Sequence, residues 1–255
     1  MLLELKKTMI YGPVNSRRLG RSLGINILPS EVKVCPFNCV YCQYGWTKIH
    51  TSQIIQDSEL PSVQAIKDAL EVALKTLSIP PAYITFSGNG EPTAHPDFGQ
   101  ITEEVTAIRH RLAPEAKTAV LSNSALVSHD SVLEALLKFD LRIMKLDCGH
   151  PKTFEKYNQP AKSIDLEAIT AGLIELSRLR DVIIQTLVSS GQGGNLMEKN
   201  ITEWIERLKR IKPLSVQLYT LDRPYPASDL KPASEQELNQ LKDQAQKEGI
   251  AIEVF

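Results

Sequence analysis

Cys35, Cys39 and Cys42 fall within eight residues in a C-x3-C-x2-C spacing, and no fourth cysteine lies near them. Three thiolates can each hold one iron of a cubic four-iron, four-sulfide cluster, which leaves the fourth iron open to an outside ligand. A cluster that only carries electrons usually has four protein thiolates. The open corner therefore points to a small molecule that binds the metal and reacts there. The same spacing leaves zinc open. A structural zinc site needs four protein ligands, so His50 or the distant Cys148 would have to complete it, and three cysteines would be an unusual catalytic set. An iron–sulfur protein that binds the cluster without further chemistry is another alternative. A disulfide framework does not suit a chain with four cysteines in 255 residues.

Other residues of chemical interest follow at intervals. In Ser87-Gly88-Asn89-Gly90-Glu91-Pro92 the glycines let backbone approach a ligand and Pro92 stiffens the exit. Glu91 can accept hydrogen bonds or pair with an ammonium, although an ordinary strand-to-helix turn uses the same residue types. Ser122 and Asn123 can bond a ligand or cap a helix. Lys145 and Asp147 alternate along an apolar run and so share one face, facing a cavity or forming a buried ion pair. Gln185, Gln217 and Tyr219 end later runs. Arg17, Arg18 and Arg21 could bind an anionic substrate or form salt bridges. Cys148 could touch the site, or be simply buried.

The elements that must position these groups are visible as alternating patterns. Candidate strands cover residues 24–28 with 32–34, then 83–87, 118–122, 141–147, 182–188 and 215–220, with 250–255 as a further candidate. Between them run helical stripes: Val63, Ile66, Leu70 and Leu74; Phe98, Ile101, Val105 and Ile108; a short one at Leu133, Leu136 and Leu137; Ile169, Leu173 and Leu176; Ile201, Trp204, Ile205 and Leu208. Ser234 and Glu237 form a capping-box pattern before Leu238 and Leu241. Six strand–helix units in series predict a parallel α/β sheet with right-handed crossovers. The pattern leaves open whether that sheet is flat, partly closed or a full barrel. In each case the ligand site lies at the carboxyl ends of the strands, where the polar residues above fall.

The chain is 42% hydrophobic, enough for one sizeable core. Residues 1–255 read as a single domain, with a core of about 11–225, an N-terminal extension 1–23 and a C-terminal helix–strand 226–255. Net charge is -1 and pI about 6.5, without the global basic field that nucleic-acid binders use. No apolar stretch is long enough for a membrane span, and residues 1–7 lack a secretory pattern. A reduced, cytoplasmic protein is the expectation. The chain contains no P-loop, no G-x-G-x-x-G after a strand and no nucleophile elbow.

With these residues set out, the chain resembles the radical S-adenosylmethionine (SAM) superfamily. Cys35-x3-Cys39-x2-Cys42 matches its cluster motif, with Tyr41 before the last cysteine. Asn89-Gly90-Glu91-Pro92 is similar to its Gly-Gly-Glu motif, with Asn89 in place of the first glycine. The segment from Tyr11 to Gly24, Lys145-Leu146-Asp147 and Gln217-Leu218-Tyr219 resemble a group of small iron–sulfur oxidoreductases related to tRNA wyosine-synthesis enzymes. The resemblance implies a partial (β/α)6 TIM-type barrel with parallel strands. It implies a [4Fe–4S] cluster on Cys35, Cys39 and Cys42, with SAM on the fourth iron. An external one-electron reductant, flavodoxin- or ferredoxin-like, would drive SAM cleavage to methionine and a 5′-deoxyadenosyl radical, which takes hydrogen from a substrate. It places Gly88, Asn89, Gly90 and Glu91 at the methionine amino end and Tyr41 near the adenine. Ser122, Asn123, Lys145 and Asp147 would meet the carboxylate and ribose, and Gln185 would lie nearby. The substrate is a small molecule, peptide or protein on this reading. RNA fits less well, because the charge is slightly negative and a second cysteine triplet is absent. A tRNA-modifying enzyme or a glycyl-radical activase are the alternatives within the superfamily.

Overall fold

The computed structural model of the protein describes residues 2–55 and 60–255. Strands β1 (Ile10–Ser16) and β2 (Gly20–Ile25) pair antiparallel across a tight turn. Two short strands flank the cysteine loop, β3 (Val34–Cys35) and β4 (Ile49–His50). The chain then alternates through α1 (Val63–Thr76), β5 (Tyr83–Phe86), α2 (Phe98–Leu112), β6 (Lys117–Ser122), α3 (Asp130–Leu136) and β7 (Leu141–Lys145). It continues with α4 (Pro151–Tyr157), α5 (Leu166–Leu179), β8 (Ile183–Leu187), β9 (Ser189–Gly191), α6 (Glu198–Ile211) and β10 (Ser215–Tyr219). It ends with β11 (Leu230–Pro232), α7 (Glu235–Lys247) and β12 (Ile252–Val254).

Eight strands form one sheet in the order β1-β2-β5-β6-β7-β8-β10-β12. Only β1 runs antiparallel to its neighbour. The expected single-domain α/β arrangement with a largely parallel sheet is therefore the observed one. The edges β1 and β12 do not pair. The sheet nevertheless curls, because Leu19 in the β1–β2 turn packs with Ala119 of β6 and Ile143 of β7. Arg17 of the same turn pairs with Asp222, just past β10. A partial barrel results, plugged at its floor by Leu19.

Side-chain alternation divides the strands between two environments. One face of each strand packs under the helices: Ile84, Phe86, Val120, Met144, Ile184, Val216 and Leu218 are all fully buried. Each such side chain contributes about 1.5–3 kcal/mol by leaving water. Helix α1 presents Ile66, Leu70 and Leu74 to this layer, and its N-cap Ser62 accepts from Ala65 N. The capping box at Ser234 and Glu237 forms as expected at the start of α7. The other strand face lines the barrel interior: Ser22, Thr85, Lys145, Gln185, Gln217 and Tyr219 lie above the apolar floor.

The structure departs from the sequence reading at β1, β2 and α4, and adds the short strands β4, β9 and β11. The first strand of the parallel series is Gly20–Ile25 rather than 24–28, and residues 10–23, expected outside the strands, form β1 and most of β2. Gly12, Pro13 and Asn15 hide β1 from any alternation pattern, and an edge strand tolerates them because one side needs no ladder bonds. Helix α4 has no counterpart in the sequence reading. Phe154 and Tyr157 are its only large apolar residues, too few for a periodic stripe, and Pro151 at its first turn is its one local sign.

Candidate functional site

The cysteine loop is held from several sides. Within it, Cys42 N donates to Cys39 O and Gly45 N to Cys42 O. The buried Lys33 Nζ donates to Gly45 O at 2.7 Å and closes the loop at its base. Asn38 N and Val40 N donate to carbonyls at the end of α4, those of Asn158 and Tyr157, and Phe37 packs edge-on against Phe154 at 5.3 Å. Cys35 and Cys39 are buried and Cys42 is half-buried. Two side-chain amides reach the sulfurs: Asn123 Nδ2 lies 3.3 Å from Cys35 Sγ and Asn158 Nδ2 lies 3.5 Å from Cys39 Sγ.

Burial pushes the Cys39 thiol up to about 11, with the Asp147 charge adding to it, and pushes Cys35 up further. Without a metal these groups are neutral thiols. A bound cation would hold them as thiolates, and the two amide N–H groups are donors that suit such sulfurs. The donor set therefore fits an iron–sulfur cluster. The zinc alternatives lack a fourth arm. His50 Nε2 is 3.0 Å from Pro36 O, and Cys148 is fully buried with its Sγ 3.5 Å from Asn158 Oδ1. Among the described residues, no three His, Cys, Asp or Glu side chains gather around one metal ion.

The glycine segment is stitched to the cysteine loop through backbone. Val34 N donates to Asn89 O and Glu91 N to Val34 O, both at 3.1 Å. Gly90 has φ +144°, and a Cβ there would meet Val34 O at 1.7 Å, so this contact admits no other residue. The Asn89 side chain turns away from the cysteines. It accepts from Lys6 N at 2.7 Å and donates to Lys6 O at 2.9 Å and Pro29 O at 2.8 Å. It thus straps residues 2–9 across the segment, with Leu3 N on Gln43 O and Met9 O on Asn26 N as further ties. The departure from the superfamily's glycine has a structural reason.

Glu91 is buried, and its carboxylate accepts from Thr93 N, Thr93 Oγ1 and Asn123 N. Burial raises its pKa against these hydrogen bonds, and no cation pairs with it among the described residues. Ser122 Oγ accepts from Ser124 N, and Asn123 Oδ1 accepts from Ala125 N. Asn123 therefore caps the turn and reaches Cys35 at once.

Lys145 and Asp147 do converge, with Lys145 Nζ 3.1 Å from Asp147 Oδ1. Asp147 is closed off inside the protein. Lys145 Nζ and Leu187 N occupy Oδ1, while the Tyr41 hydroxyl and Asn158 Nδ2 occupy Oδ2. These four donors fill a carboxylate's acceptor positions, so no lone pair is left for a ribose hydroxyl, contrary to the sequence expectation. Its work is to fix Lys145, Tyr41 and Asn158. Burial alone would lower the Lys145 pKa, but Asp147 and Tyr219 more than offset it and the ammonium is held above its usual range. Tyr219 OH bonds Lys145 Nζ at 3.0 Å and Gln185 Oε1 at 3.2 Å, and Gln185 Nε2 reaches Gln217 Oε1 at 3.4 Å. The Tyr41 ring lies 4.9 Å from that of Tyr157. The structure thus joins Cys39, Tyr41, Lys145, Asp147 and Gln185 in one network. Cys35, Glu91 and Asn123 form a second around the glycine segment, which Gly88, Asn89 and Gly90 complete.

Sequence reasoning missed Asn158, Lys33 and Asn26. Asn158 sits at the end of α4 and touches Cys39, Tyr41 and Asp147. Asn26 Oδ1 accepts from Asn89 N at 3.1 Å. These are single polar residues without periodicity or motif, and only their distant partners give them meaning.

Comparison with known proteins agrees with this geometry. The family model of the radical SAM superfamily matches residues 32–154, from the cysteine loop to α4. The UPF0026 protein slr1464 of Synechocystis is 33% identical over 219 residues, 85% of this chain and 77% of that protein. The chain belongs to the radical SAM superfamily, among the UPF0026 proteins. A radical SAM methyltransferase from Sphaerobacter thermophilus has the same fold, with a TM-score of 0.67 at 16% identity over 92% of this chain and 65% of that one. A structure of TYW1 with a lysine-pyruvate adduct bound superposes with a TM-score of 0.66 at 17% identity, covering 89% and 73%. The chain also matches the protein named GTPase Obg of Brachyspira hyodysenteriae, 32% identical over 94% of this chain, but spans only 34% of that protein's length. The superfamily's activity is SAM-dependent radical chemistry, with a 4Fe–4S cluster, SAM and an external reductant. No helix among the described residues is long and apolar enough to cross a membrane.

Proposed function

We propose that this chain is a radical SAM enzyme whose Cys35, Cys39 and Cys42 hold a [4Fe–4S] cluster with one iron left for SAM. The observation that carries the reading is the backbone stitch between Val34 and Asn89–Glu91, which sets the three-thiol loop against a buried carboxylate that pairs with no cation among the described residues. When bound and reduced from outside, the cluster supplies the electron that splits SAM into methionine and a 5′-deoxyadenosyl radical able to take hydrogen from a substrate.

The chain's own residues have separate tasks in this scheme. Glu91 offers its carboxylate to the ammonium of the methionine end, and the backbone of Gly88, Asn89 and Gly90 borders that position. Lys145, held charged by Asp147, offers an ammonium to the methionine carboxylate. Asn123 and Asn158 donate to the sulfurs and so stabilise negative charge on the ligands. Tyr41, on the loop beside Asp147, is the surface proposed for the adenine, with Ser122 and Gln185 at its margins. Residues 2–9 are tied to the end of the loop by Leu3 N on Gln43 O.

Anaerobic reconstitution with iron and sulfide, followed by reduction with SAM present, tests the reading. Brown protein that forms 5′-deoxyadenosine is the expected result, and Cys35→Ala, Cys39→Ala and Cys42→Ala should each abolish it. Full cleavage by Cys39→Ala would overturn the assignment.

A further inference from the structure

Three arginines of the β1–β2 hairpin stand outside the machinery described above. Arg21 donates to Ile79 O at 3.1 Å, at the far end of α1. Arg17 is exposed and paired with Asp222. Arg18 differs from both. Its guanidinium carbon lies 4.8 Å from the centroid of the Tyr219 ring, and the Tyr219 hydroxyl touches Lys145 and Gln185 inside the barrel. The next residue, Leu19, plugs the barrel floor. Arg18 therefore projects into the open barrel and is half-buried there.

Among the described residues, Arg18 is hydrogen-bonded only through its backbone amide, to Ser16 Oγ at 3.3 Å. The charged groups facing it are Arg17, Arg223 and Asp222. Asp222 is taken by Arg17, and Arg223 donates to Gln43 Oε1 at 2.7 Å. Three guanidiniums thus share one carboxylate at this lip, in a chain whose net charge is -1. A partly desolvated cation without an acceptor is costly. With one face on the Tyr219 ring, the guanidinium edges remain open for a two-point contact with an oxyanion.

We propose that Arg18 anchors an oxyanion of a small-molecule substrate, a carboxylate or a phosphate, inside the barrel. Tyr219 backs the guanidinium, and Arg223 adds attraction at the lip. The anion stands one side chain away from Lys145, which leads through Asp147 and Asn158 to Cys39. The substrate role rests on the radical SAM reading; the anion site itself does not.

The test titrates inorganic phosphate and malonate separately into the full-length protein by calorimetry, with wild type, Arg18→Gln, Arg18→Lys and Arg21→Gln. Wild type should bind at least one of the two anions. The tighter arm tells a phosphorylated substrate from a carboxylate one. Arg18→Gln should weaken that binding about tenfold or more, the size of a lost charge-assisted contact. Arg18→Lys, which keeps charge and stem but not the fork, should weaken it by a smaller factor and guards against misfolding of the glutamine variant. Arg21→Gln should bind like wild type. Absence of binding to wild type, or unchanged affinity in both Arg18 variants, overturns the proposal. SAM cleavage by the wild-type enzyme is measured separately. Arg18-dependent anion binding without cleavage would sink the radical reading alone, and cleavage with Arg18-independent binding would sink this proposal alone.

Discussion

Replacing Asn89 by Ala isolates the strap that crosses the glycine segment. The change removes one hydrogen bond to Lys6 N, one to Lys6 O and one to Pro29 O. Each is worth about 1 kcal/mol net, and more if its partner is left buried and unpaired. Asn89 is fully buried, Lys6 is partly covered and Pro29 is buried, so water recovers some of the loss on the Lys6 side only. Only the two bonds to Lys6 hold the strap itself, so it should lose about 2 kcal/mol of docking free energy, equivalent to about 30-fold more frequent opening. Hydrogen exchange read on peptides from residues 2–9 measures this directly, with the amides of Leu3 and Lys6 as reporters. Asn89→Gly, which restores the superfamily's glycine, should be worse by up to about 1 kcal/mol because of the added backbone freedom. Asn89→Asp should be worse again, since it sets a carboxylate against the carbonyls of Lys6 and Pro29. Exchange within twofold of wild type in Asn89→Ala would refute the claim that this side chain holds the strap.

Three further outcomes follow from the site. Cys148→Ala should retain iron and the cluster's visible absorbance, because Cys148 is fully buried with its Sγ on Asn158 Oδ1; iron loss would reveal a missed ligand. Lys145→Met should leave cluster assembly intact, since Asp147 keeps three other donors. It should lower SAM affinity about tenfold or more, as expected for a lost charge-assisted contact, and unchanged affinity in equilibrium binding removes Lys145 from the site. His95 is buried, and its pKa is lowered chiefly by that burial, against a bond to Pro61 O. Its Nδ1 accepts from Asp97 N at 3.0 Å, so protonation breaks that bond. A histidine with a depressed folded pKa contributes stability that is complete above the unfolded value of about 6.5 and is lost as pH falls from there towards the folded value. Urea midpoints at pH 7.5 and 5.5 should therefore fall more for wild type than for His95→Gln, and equal falls would show that His95 carries none of the pH dependence.

Local sequence features carried much of this protein. The cysteine spacing, the Asn89–Pro92 segment and the alternation of strand and helix patterns depend on neighbours within a turn or a strand, so they can be read in order along the chain. They determined the parallel α/β arrangement and the convergence of Lys145 with Asp147, which follows from two-residue alternation alone. The C-terminal run and the capping box at Ser234 were legible for the same reason.

Tertiary structure decided what has no local signature. Strand β1 became part of the sheet because an edge position accepts glycine and proline. Asn158, just past a helix with too few apolar residues for a stripe, became the hub between Cys39, Tyr41 and Asp147. Arg18 was one of three similar arginines until the curl of the sheet brought it onto Tyr219. Asp147 passed from presumed ligand acceptor to internal brace once its four donors, drawn from separate elements, were in place. Sequence fixes which groups a segment can offer, through chemistry and periodicity. Which lone pair or charge remains free for a ligand depends on partners tens of residues away, and those meet only when the chain folds.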